Sequence, residues 1–285
     1  MCGLFGAVGP RVPEHALKRV FQVLEHRGPD GNGLFEDSSA RITIAHTRLA
    51  VIDLVTGAQP IGNKDGSVIL ACNGEIYDFE RIRRSLEASG HRFTTRTDSE
   101  VILHLWEEFG LACFDYLRGE FAFLLFDRAK QLLIAGRDRF GIKPLYFSQH
   151  SDGFVFASEM KAIFASGLVA PKLNVVALDP LLEQDPEKVQ FPFEGIEHVP
   201  PGCYMVIDVA THESRISRYW SAEIPAATAQ SVPEPFGDAG AACARSVLKE
   251  LEEAVRLRLR ADVDTILDGF HVPRVRRDQV AEPRQ

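Results

Sequence analysis

The residue best equipped for chemistry stands second in the chain, where Cys2 directly follows the initiator methionine. Because cysteine is small, removal of Met1 is plausible and would leave Cys2 with a thiol and a free α-amino group. An unperturbed α-amino group titrates near ~8, so it can serve as the base for the thiol beside it. The alternative is that Cys2 is a small buried residue at the head of a strand, as unpaired cysteines often are.

Two short polar segments stand at the ends of apolar runs that predict strands. The His-Thr-Arg segment at 46–48 follows the apolar run 42–45, and the Asn-Gly-Glu segment at 73–75 follows the apolar run 68–72. The runs themselves do not require these polar residues. Polar residues at strand ends usually meet solvent, so each segment taken singly has a structural explanation as well as a functional one.

Asp98 stands with Thr97 immediately before an amphipathic segment at 99–109. Asp and Thr are favoured at the N-cap of a helix, so a capping role is the structural alternative for Asp98. For Arg48 the structural alternative is a surface ion pair.

A segment rich in glycine and proline at 26–33 predicts a loop with several positive-φ positions. Such a loop could cradle a phosphate, but the segment has neither the dinucleotide-binding fingerprint nor a P-loop lysine. A structural turn is therefore the default interpretation.

The composition limits the class of protein. The 285-residue chain is 45% hydrophobic and 25% charged, with a formal net charge of -8, which argues against nucleic acid or an anionic membrane as the main partner. No apolar run approaches the roughly 20 residues needed to span a bilayer, and no signal peptide precedes Cys2. The five cysteines do not form the spacings of a disulfide framework or a zinc site: Cys2, Cys72, Cys113, Cys203 and Cys243. We therefore expect a cytoplasmic protein whose thiols stay reduced.

The elements that must position these residues are short. Apolar runs at 42–45, 49–54 and 68–72, separated by turn residues, predict a β meander. Apolar residues at helical spacing predict helices over three segments: 15–24, 79–88 and 99–109.

The segment 119–138 is the most informative about architecture. Alternate residues at 121–126 are apolar on both faces of the predicted strand, and 132–136 repeats the pattern after a polar turn. A tight turn makes the two strands antiparallel, yet both faces must be covered. A second sheet on one face and helices on the other would cover them, which predicts a helix, sheet, sheet, helix arrangement.

The C-terminal quarter is more irregular in pattern. A strand at 204–209 is predicted to pair with 214–220, after an irregular stretch at 180–192. We predict a linker at 225–235, a helix at 238–260 and a disordered tail after Asp262. The helix carries an apolar stripe of four residues: Leu248, Leu251, Val255 and Leu259.

Six motifs stand in order along the chain: CGLFG at 2–6, RGPD at 27–30, HTRLAVID at 46–53, NGEIY at 73–77, TDSEV at 97–101 and RDRFGIKPLY at 137–146. Taken together, they resemble the glutaminase domain of asparagine synthetases, a class II glutamine amidotransferase of the N-terminal nucleophile (Ntn) hydrolase type. The match extends from Met1 to about Trp220. It implies an α+β fold over 1–220, a four-layer α/β/β/α sandwich of two antiparallel sheets. The segment 221–285 would then be a remnant of the entry to a synthetase domain.

The resemblance implies a role for each matching residue. Cys2 would be the nucleophile that attacks the side-chain amide of L-glutamine, and the Asn73 side chain with the Gly74 N–H would form the oxyanion hole. Arg48 would bind the α-carboxylate of glutamine and Asp98 its α-ammonium group. Four further residues of the same segments would shape the pocket: Leu49, Val51, Ile52 and Glu75.

The resemblance stops before the ATP-pyrophosphatase domain of asparagine synthetases, whose phosphate-binding loop reads S-G-G-x-D-S. The sequence at 260–270 has no S-G-G run. We therefore expect this chain to release ammonia without a metal or cofactor of its own, with ATP and Mg²⁺ needed only in a synthetase module on a partner chain. The alternatives are an Ntn-type hydrolase of another amide and a non-catalytic regulatory or assembly module. A homo-oligomer is also expected if the C-terminal helix buries its stripe against another copy.

Overall fold

The structure is a computed structural model, described here for residues 1–177, 191–222, 238–263, 265–267 and 270–272. The chain divides into two compact units. The first unit comprises Met1–Ala50 and Val55–Trp220, and the second comprises Val51–Leu54 and Ser221–Gln285. The predicted linker at 225–235 and most of the predicted irregular stretch at 180–192 lie outside the described residues.

The described part of the first unit contains twelve strands and five α-helices. The strands are β1 (Gly3–Val8), β2 (Gly31–Asp37), β3 (Ile42–Arg48), β4 (Ile61–Gly62), β5 (Val68–Ile76), β6 (Gly119–Asp127), β7 (Leu132–Arg137), β8 (Tyr146–His150), β9 (Gly153–Ala157), β10 (Glu197–His198), β11 (Cys203–Asp208) and β12 (Ser214–Arg218). The helices are α1 (Glu14–Leu24), α2 (Phe79–Ala88), α3 (Glu100–Phe109), α4 (Cys113–Tyr116) and α5 (Met160–Ala165).

The strands form two six-stranded sheets. The first sheet has the order β10-β8-β9-β1-β3-β2, and the second has the order β12-β11-β7-β6-β5-β4. All neighbouring strands within these sheets run antiparallel. The predicted hairpins are present, since β6 pairs with β7 and β11 pairs with β12.

The two sheets pack face to face on an apolar core. Leu4 and Ile44 of the first sheet share this core with Ala122, Leu124 and Phe126 of β6. The alternate residues of β6 are also buried, on the opposite face of the same strand: Phe121, Phe123 and Leu125. A strand that is apolar on both faces therefore lies between two layers, as its pattern predicts.

Helices cover the outer faces of both sheets. The buried sides of α1 and α5 pack against the outer face of the first sheet around Phe5 and Val155. On the other side, the Phe114 ring of α4 stacks on Phe123 of β6 with ring centroids 5.5 Å apart, and α3 packs against β5. The predicted four-layer α/β/β/α sandwich of two antiparallel sheets is therefore confirmed.

Two local predictions are wrong. The run 49–54 forms no strand, and β3 and β5 lie in different sheets, so there is no meander. Strand propensity is a local property, whereas the partner of a strand is chosen by long-range packing.

The glycine-rich segment at 26–33 is also not the predicted loop, because β2 begins at Gly31. None of its three glycines, Gly28, Gly31 and Gly33, has a positive φ. Two of them are instead required by close contacts. A Cβ atom on Gly28 would lie 2.4 Å from the Thr47 carbonyl oxygen, and one on Gly33 would lie 1.8 Å from the Gln59 carbonyl oxygen.

In the second unit, α6 (Asp238–Arg258) is followed by a hairpin of β13 (Thr265–Leu267) and β14 (Phe270–Val272). This hairpin falls within the segment predicted to be disordered, and the rest of that segment lies outside the described residues. Within the unit, the Asp262 N–H donates to the Val51 carbonyl oxygen at 2.8 Å. Three residues of the predicted stripe on α6 are exposed: Leu248, Leu251 and Val255. No described helix has the length and apolar composition that crossing a bilayer would need.

Candidate active site

Cys2 immediately precedes β1, one of the two central strands of a sheet that is covered on both faces. The Gly3 N–H donates to Thr47 Oγ1 at 3.1 Å, and the Leu4 N–H donates to Ser158 Oγ at 3.0 Å. A Cβ atom on Gly3 would lie 2.4 Å from Thr47 Oγ1, so the small residue allows this approach. The position of Cys2 is therefore set by neighbouring strands rather than by a loose terminus.

The Cys2 thiol lies against the backbone of Leu49. The Leu49 N–H donates to Sγ at 3.4 Å, and Sγ lies 3.7 Å from the Leu49 carbonyl oxygen. Burial raises the pKa of the Cys2 thiol, and the Leu49 hydrogen bond opposes that rise. The charge of Asp98 raises the pKa further, while the charge of Arg48 lowers it. Both charged residues therefore lie within electrostatic range of the sulfur.

A partly buried ion pair holds the backbone of Cys2 in place. Arg27 Nε donates to the Cys2 carbonyl oxygen at 2.9 Å, and Arg27 Nη1 lies 2.9 Å from Glu159 Oε1. Burial would raise the pKa of Glu159, but hydrogen bonds from Arg27, Lys161 and His26 lower it to about 2. Glu159 is therefore ionised at neutral pH and holds the guanidinium group in place. Arg27 stands in the RGPD motif, whereas Glu159 is distant in the chain and no motif marks it as a partner of Arg27.

Asn73 is a buried residue of β5 whose side-chain amide has no hydrogen-bond partner in the described part of the chain. It pairs with Ala122 of β6, which faces the first sheet in the core between the sheets. Because paired residues project to the same face, the Asn73 amide also faces the first sheet, which carries Cys2. A buried amide without partners costs about 1–3 kcal/mol, so this one is available to a ligand.

Side chains from two other segments position the peptide before Asn73. The Cys72 N–H donates to Gln59 Oε1 at 2.6 Å, and His46 Nε2 donates to the Cys72 carbonyl oxygen at 3.1 Å. Burial lowers the pKa of His46 to about 4, so the ring is neutral at neutral pH. The burial of His46 in a bridge between the two sheets could not be inferred from its place at the end of an apolar run.

Gly74 and Glu75 continue β5 along β6. A Cβ atom on Gly74 would lie 2.2 Å from the Glu120 carbonyl oxygen and 2.5 Å from Phe121 Cα, so only glycine fits this position without a shift of β6. Glu75 is half-buried and lies opposite Glu120 in the strand pair. The Glu120 carboxylate also forms an ion pair with Lys143, whose Nζ lies 3.1 Å from Glu120 Oε2.

Asp98 is buried and does not cap α3. Its Oδ2 accepts a hydrogen bond from the Ile76 N–H at 2.6 Å, and the N-cap residue of α3 is Ser99. Of the two residues predicted to cap α3, Thr97 does so, because its Oγ1 accepts a hydrogen bond from the Glu100 N–H at 3.3 Å. The Asp98 carboxylate instead reaches the end of β5. Burial raises the pKa of Asp98 to about 6, although backbone hydrogen bonds oppose the rise.

The remaining residues predicted for the site are divided between the two units of the chain. Arg48 ends β3 half-buried, and Leu49 follows it beside the thiol. Val51 and Ile52 belong to the second unit, so the pocket around Cys2 is described from the first unit alone. Their proposed contribution to the pocket stays a prediction. Among the described residues, three metal-ligating side chains converge in one place only, at His91, His104 and Glu107, and Cys2 is not part of that group.

Comparison with known proteins identifies the family of the chain. The sequence model of the glutamine amidotransferase domain family matches residues 1–220. The chain is 36% identical over 234 residues to asparagine synthetase [glutamine-hydrolyzing] 2 of Bacillus subtilis, covering 78% of this chain and 31% of that protein. It is 36% identical over 249 residues to amidase chry2 of Gibberella zeae, covering 87% of this chain and 36% of that protein. The chain thus spans about a third of the length of these relatives.

Solved structures support the fold. The glutamine phosphoribosylpyrophosphate amidotransferase of Bacillus subtilis, complexed with ADP and GMP, aligns with a TM-score of 0.57 at 22% identity, covering 78% of this chain and 50% of that one. An allosteric regulatory enzyme of purine biosynthesis aligns with a TM-score of 0.58 at 22% identity and the same coverage. With the family match over 1–220, the predicted resemblance is confirmed: this chain belongs to the glutamine amidotransferase domain family.

Proposed function

We propose that this chain is a glutaminase that hydrolyses the side-chain amide of L-glutamine to glutamate and ammonia, with Cys2 as the nucleophile after removal of Met1. One observation carries the proposal. The Cys2 thiol is fixed against the Leu49 N–H, and the opposite charges of Arg48 and Asp98 both act on it. A thiol within electrostatic range of two opposite charges suits a small zwitterionic amide.

The proposed reaction uses groups of the chain and water. The α-amino group of the freed Cys2 accepts the thiol proton, and the sulfur attacks the amide carbon of glutamine. The oxyanion of the tetrahedral intermediate accepts hydrogen bonds from the Asn73 side chain and the Gly74 N–H. The α-ammonium group of Cys2 then returns its proton to the departing ammonia, which leaves a thioester on Cys2. Water hydrolyses this thioester, with the same amino group accepting the proton of the water.

The proposed oxyanion hole is supported by the state of its donors. The Asn73 amide is buried without a hydrogen-bond partner, and the peptide before it is fixed by Gln59 and His46. Donors held in place before the reaction need no reorganisation when charge develops on the oxygen. Removing one such donor typically raises the barrier by about 3 kcal/mol.

Substrate selection follows from the two charges. Arg48 would bind the α-carboxylate through a bidentate pair, and Asp98 would bind the α-ammonium group. A substrate without a free α-ammonium group would leave Asp98 buried and unpaired. Within the first unit, we propose that Leu49 and Glu75 form walls of this pocket.

We further propose that the ammonia is used by a synthetase module of the asparagine synthetase type, which would bind ATP and Mg²⁺ and act in the cytoplasm. The length of the relatives supports such a module, either on a longer polypeptide or on a partner chain. The exposed apolar residues Leu248, Leu251 and Val255 of α6 support a contact with a partner or with a second copy.

The test compares ammonia release from glutamine by the wild-type chain and by Cys2→Ala. We expect release by the wild-type chain only, with both proteins equally folded by circular dichroism. N-acetylglutamine, which lacks the α-ammonium group, should not be hydrolysed. Hydrolysis of N-acetylglutamine as fast as glutamine would favour an amidase for another substrate. Equal ammonia release by Cys2→Ala, or none by a wild-type chain lacking Met1, would contradict the proposal.

A further inference from the structure

A second group of chemically active side chains lies on the helical layer that covers the second sheet. His91 stands in the turn after α2, and His104 and Glu107 lie one helical turn apart on α3. One ligand atom from each of the three residues lies within 4.8 Å of the others. We propose that these three side chains form a binding site for a divalent metal ion, and that Zn²⁺ suits their ligand atoms best.

The distances suit a tetrahedral ion. Glu107 Oε2 lies 2.7 Å from His104 Nδ1 and 3.4 Å from His91 Nδ1. In a tetrahedral zinc site with bonds of about 2.0–2.2 Å, neighbouring ligand atoms are about 3.3–3.5 Å apart. The His91 distance already has this value, and the His104 distance needs to open by less than about 1 Å. Two imidazoles and one carboxylate are a ligand set typical of zinc.

The second nitrogen of each ring faces a carboxylate. His91 Nε2 lies 3.0 Å from Glu108 Oε2, and His104 Nε2 lies 3.6 Å from Glu100 Oε1. A proton on Nε2 that points to a carboxylate leaves the lone pair of Nδ1 for the metal, and it makes that nitrogen more basic. His104 Nε2 is buried and makes no hydrogen bond. A shift of the ring toward a metal is therefore not opposed by an existing hydrogen bond at that nitrogen.

The carboxylates are held by their own partners. Glu107 Oε1 accepts a hydrogen bond from Asn63 Nδ2 at 2.8 Å, which leaves Oε2 directed at the histidines. Glu100 accepts hydrogen bonds from the backbone N–H groups of Thr94 and Thr95 at 2.7 and 2.8 Å. A metal would thus meet ligands whose orientations are largely set before binding, which lowers the entropic cost of assembling the site.

The site is open to solvent on one side. The Glu107 and His91 side chains are 27% and 15% exposed, so an ion can enter from their side, and water can fill the fourth position. Carboxylates of Glu100, Glu107 and Glu108 lie within 3.6 Å of the two imidazole rings. A cation is therefore favoured between these carboxylates.

The experiment measures Zn²⁺ binding by isothermal titration to the full chain, freed of metal with a chelator. Cys2→Ala with Cys243→Ser serves as the background, because it removes the candidate nucleophile and the exposed thiol that could bind zinc themselves. We expect one Zn²⁺ per chain in this background. His91→Gln and Glu107→Gln, each added to it, should weaken binding by about 100-fold or more.

Matched controls separate a site from scattered surface binding. Glu108→Gln should weaken binding by about 10–100-fold, as loss of an outer partner does. His15→Gln, at an exposed helical histidine outside the group, should leave binding unchanged. Glutamine at 107 can still accept the hydrogen bond from Asn63, so Glu107→Gln should remain folded by circular dichroism. Absence of a bound Zn²⁺ in the background, or unchanged affinity in either His91→Gln or Glu107→Gln, would overturn the site.

Discussion

Replacement of Asp98 by asparagine separates the energetic cost of burying this carboxylate from its proposed use in binding. The pKa of Asp98 is raised from 3.8 to about 6, chiefly by burial. A shift of about two pKa units corresponds to about 3 kcal/mol between the two protonation states. The folded protein binds the Asp98 proton more tightly than the unfolded chain does. This residue therefore lowers the free energy of unfolding progressively as the pH rises from about 4 to about 6. Above that range the full destabilisation of about 3 kcal/mol is present.

Asparagine does not titrate, and its Oδ1 can still accept the hydrogen bond from the Ile76 N–H. We expect the free energy of unfolding of Asp98→Asn, relative to that of the wild-type chain, to increase by about 3 kcal/mol between pH 4 and pH 7. Urea denaturation without glutamine, at four or five pH values, measures this difference. All other groups titrate in both proteins, so their contributions to this difference in the free energy of unfolding cancel. A difference that does not change with pH would refute the reasoning about this buried carboxylate.

The same substitution should weaken glutamine binding. In a Cys2→Ala background, which prevents turnover, loss of the charged partner of the α-ammonium group should weaken binding by about 10–100-fold at pH 7.5. The KM of the active chain should rise as the pH falls through about 6, where Asp98 becomes protonated. Asp98→Asn should remove that rise. A gain in stability with unchanged glutamine affinity would exclude Asp98 from the pocket.

Four further substitutions test the neighbours of Cys2. Asn73→Ala should lower kcat by about 100- to 1,000-fold with little change in KM, which steady-state kinetics would measure. Arg48→Lys keeps the charge but loses bidentate geometry, so KM for glutamine should rise about tenfold at similar kcat. Gly74→Ala places a Cβ atom 2.2 Å from the Glu120 carbonyl oxygen and should lower the free energy of unfolding by about 2 kcal/mol or more, measured in urea. Arg27→Met removes the hydrogen bond to the Cys2 carbonyl oxygen and should lower kcat about tenfold without unfolding the protein; unchanged kcat would show that this contact is dispensable.

The layered fold could be predicted because the sequence of β6 alone shows that both faces of this strand are apolar. Its alternate residues are apolar on both faces, and such a strand requires a layer on each side. The pairing of the strands could not be predicted in the same way. The apolar runs that became β3 and β5 look alike in sequence, yet they lie in different sheets. The difference arises from contacts between distant segments, which local pattern does not contain.

The candidate site likewise contains residues that short motifs predict and residues that only long-range contacts bring together. The residues proposed to act on glutamine stand in short motifs, so sequence was enough to nominate Cys2 and Asn73. The positioning roles of the residues that hold these motifs could not be predicted, because each acts across a long separation in the chain. Glu159 reaches the backbone of Cys2 through Arg27, and His46 bridges two sheets to reach Cys72. Their chemistry depends on burial and on partners, neither of which a single residue reveals.

The central claim is that Cys2, freed of Met1, attacks a glutamine bound beside it. The most direct measurement is the intact mass of the purified chain before and after incubation with a diazoketone analogue of glutamine, followed by peptide mapping. The account predicts a chain without Met1 that gains one adduct, located on the Cys2 thiol, and that is protected by excess glutamine. A chain that keeps Met1, or an adduct located on another cysteine, would contradict it.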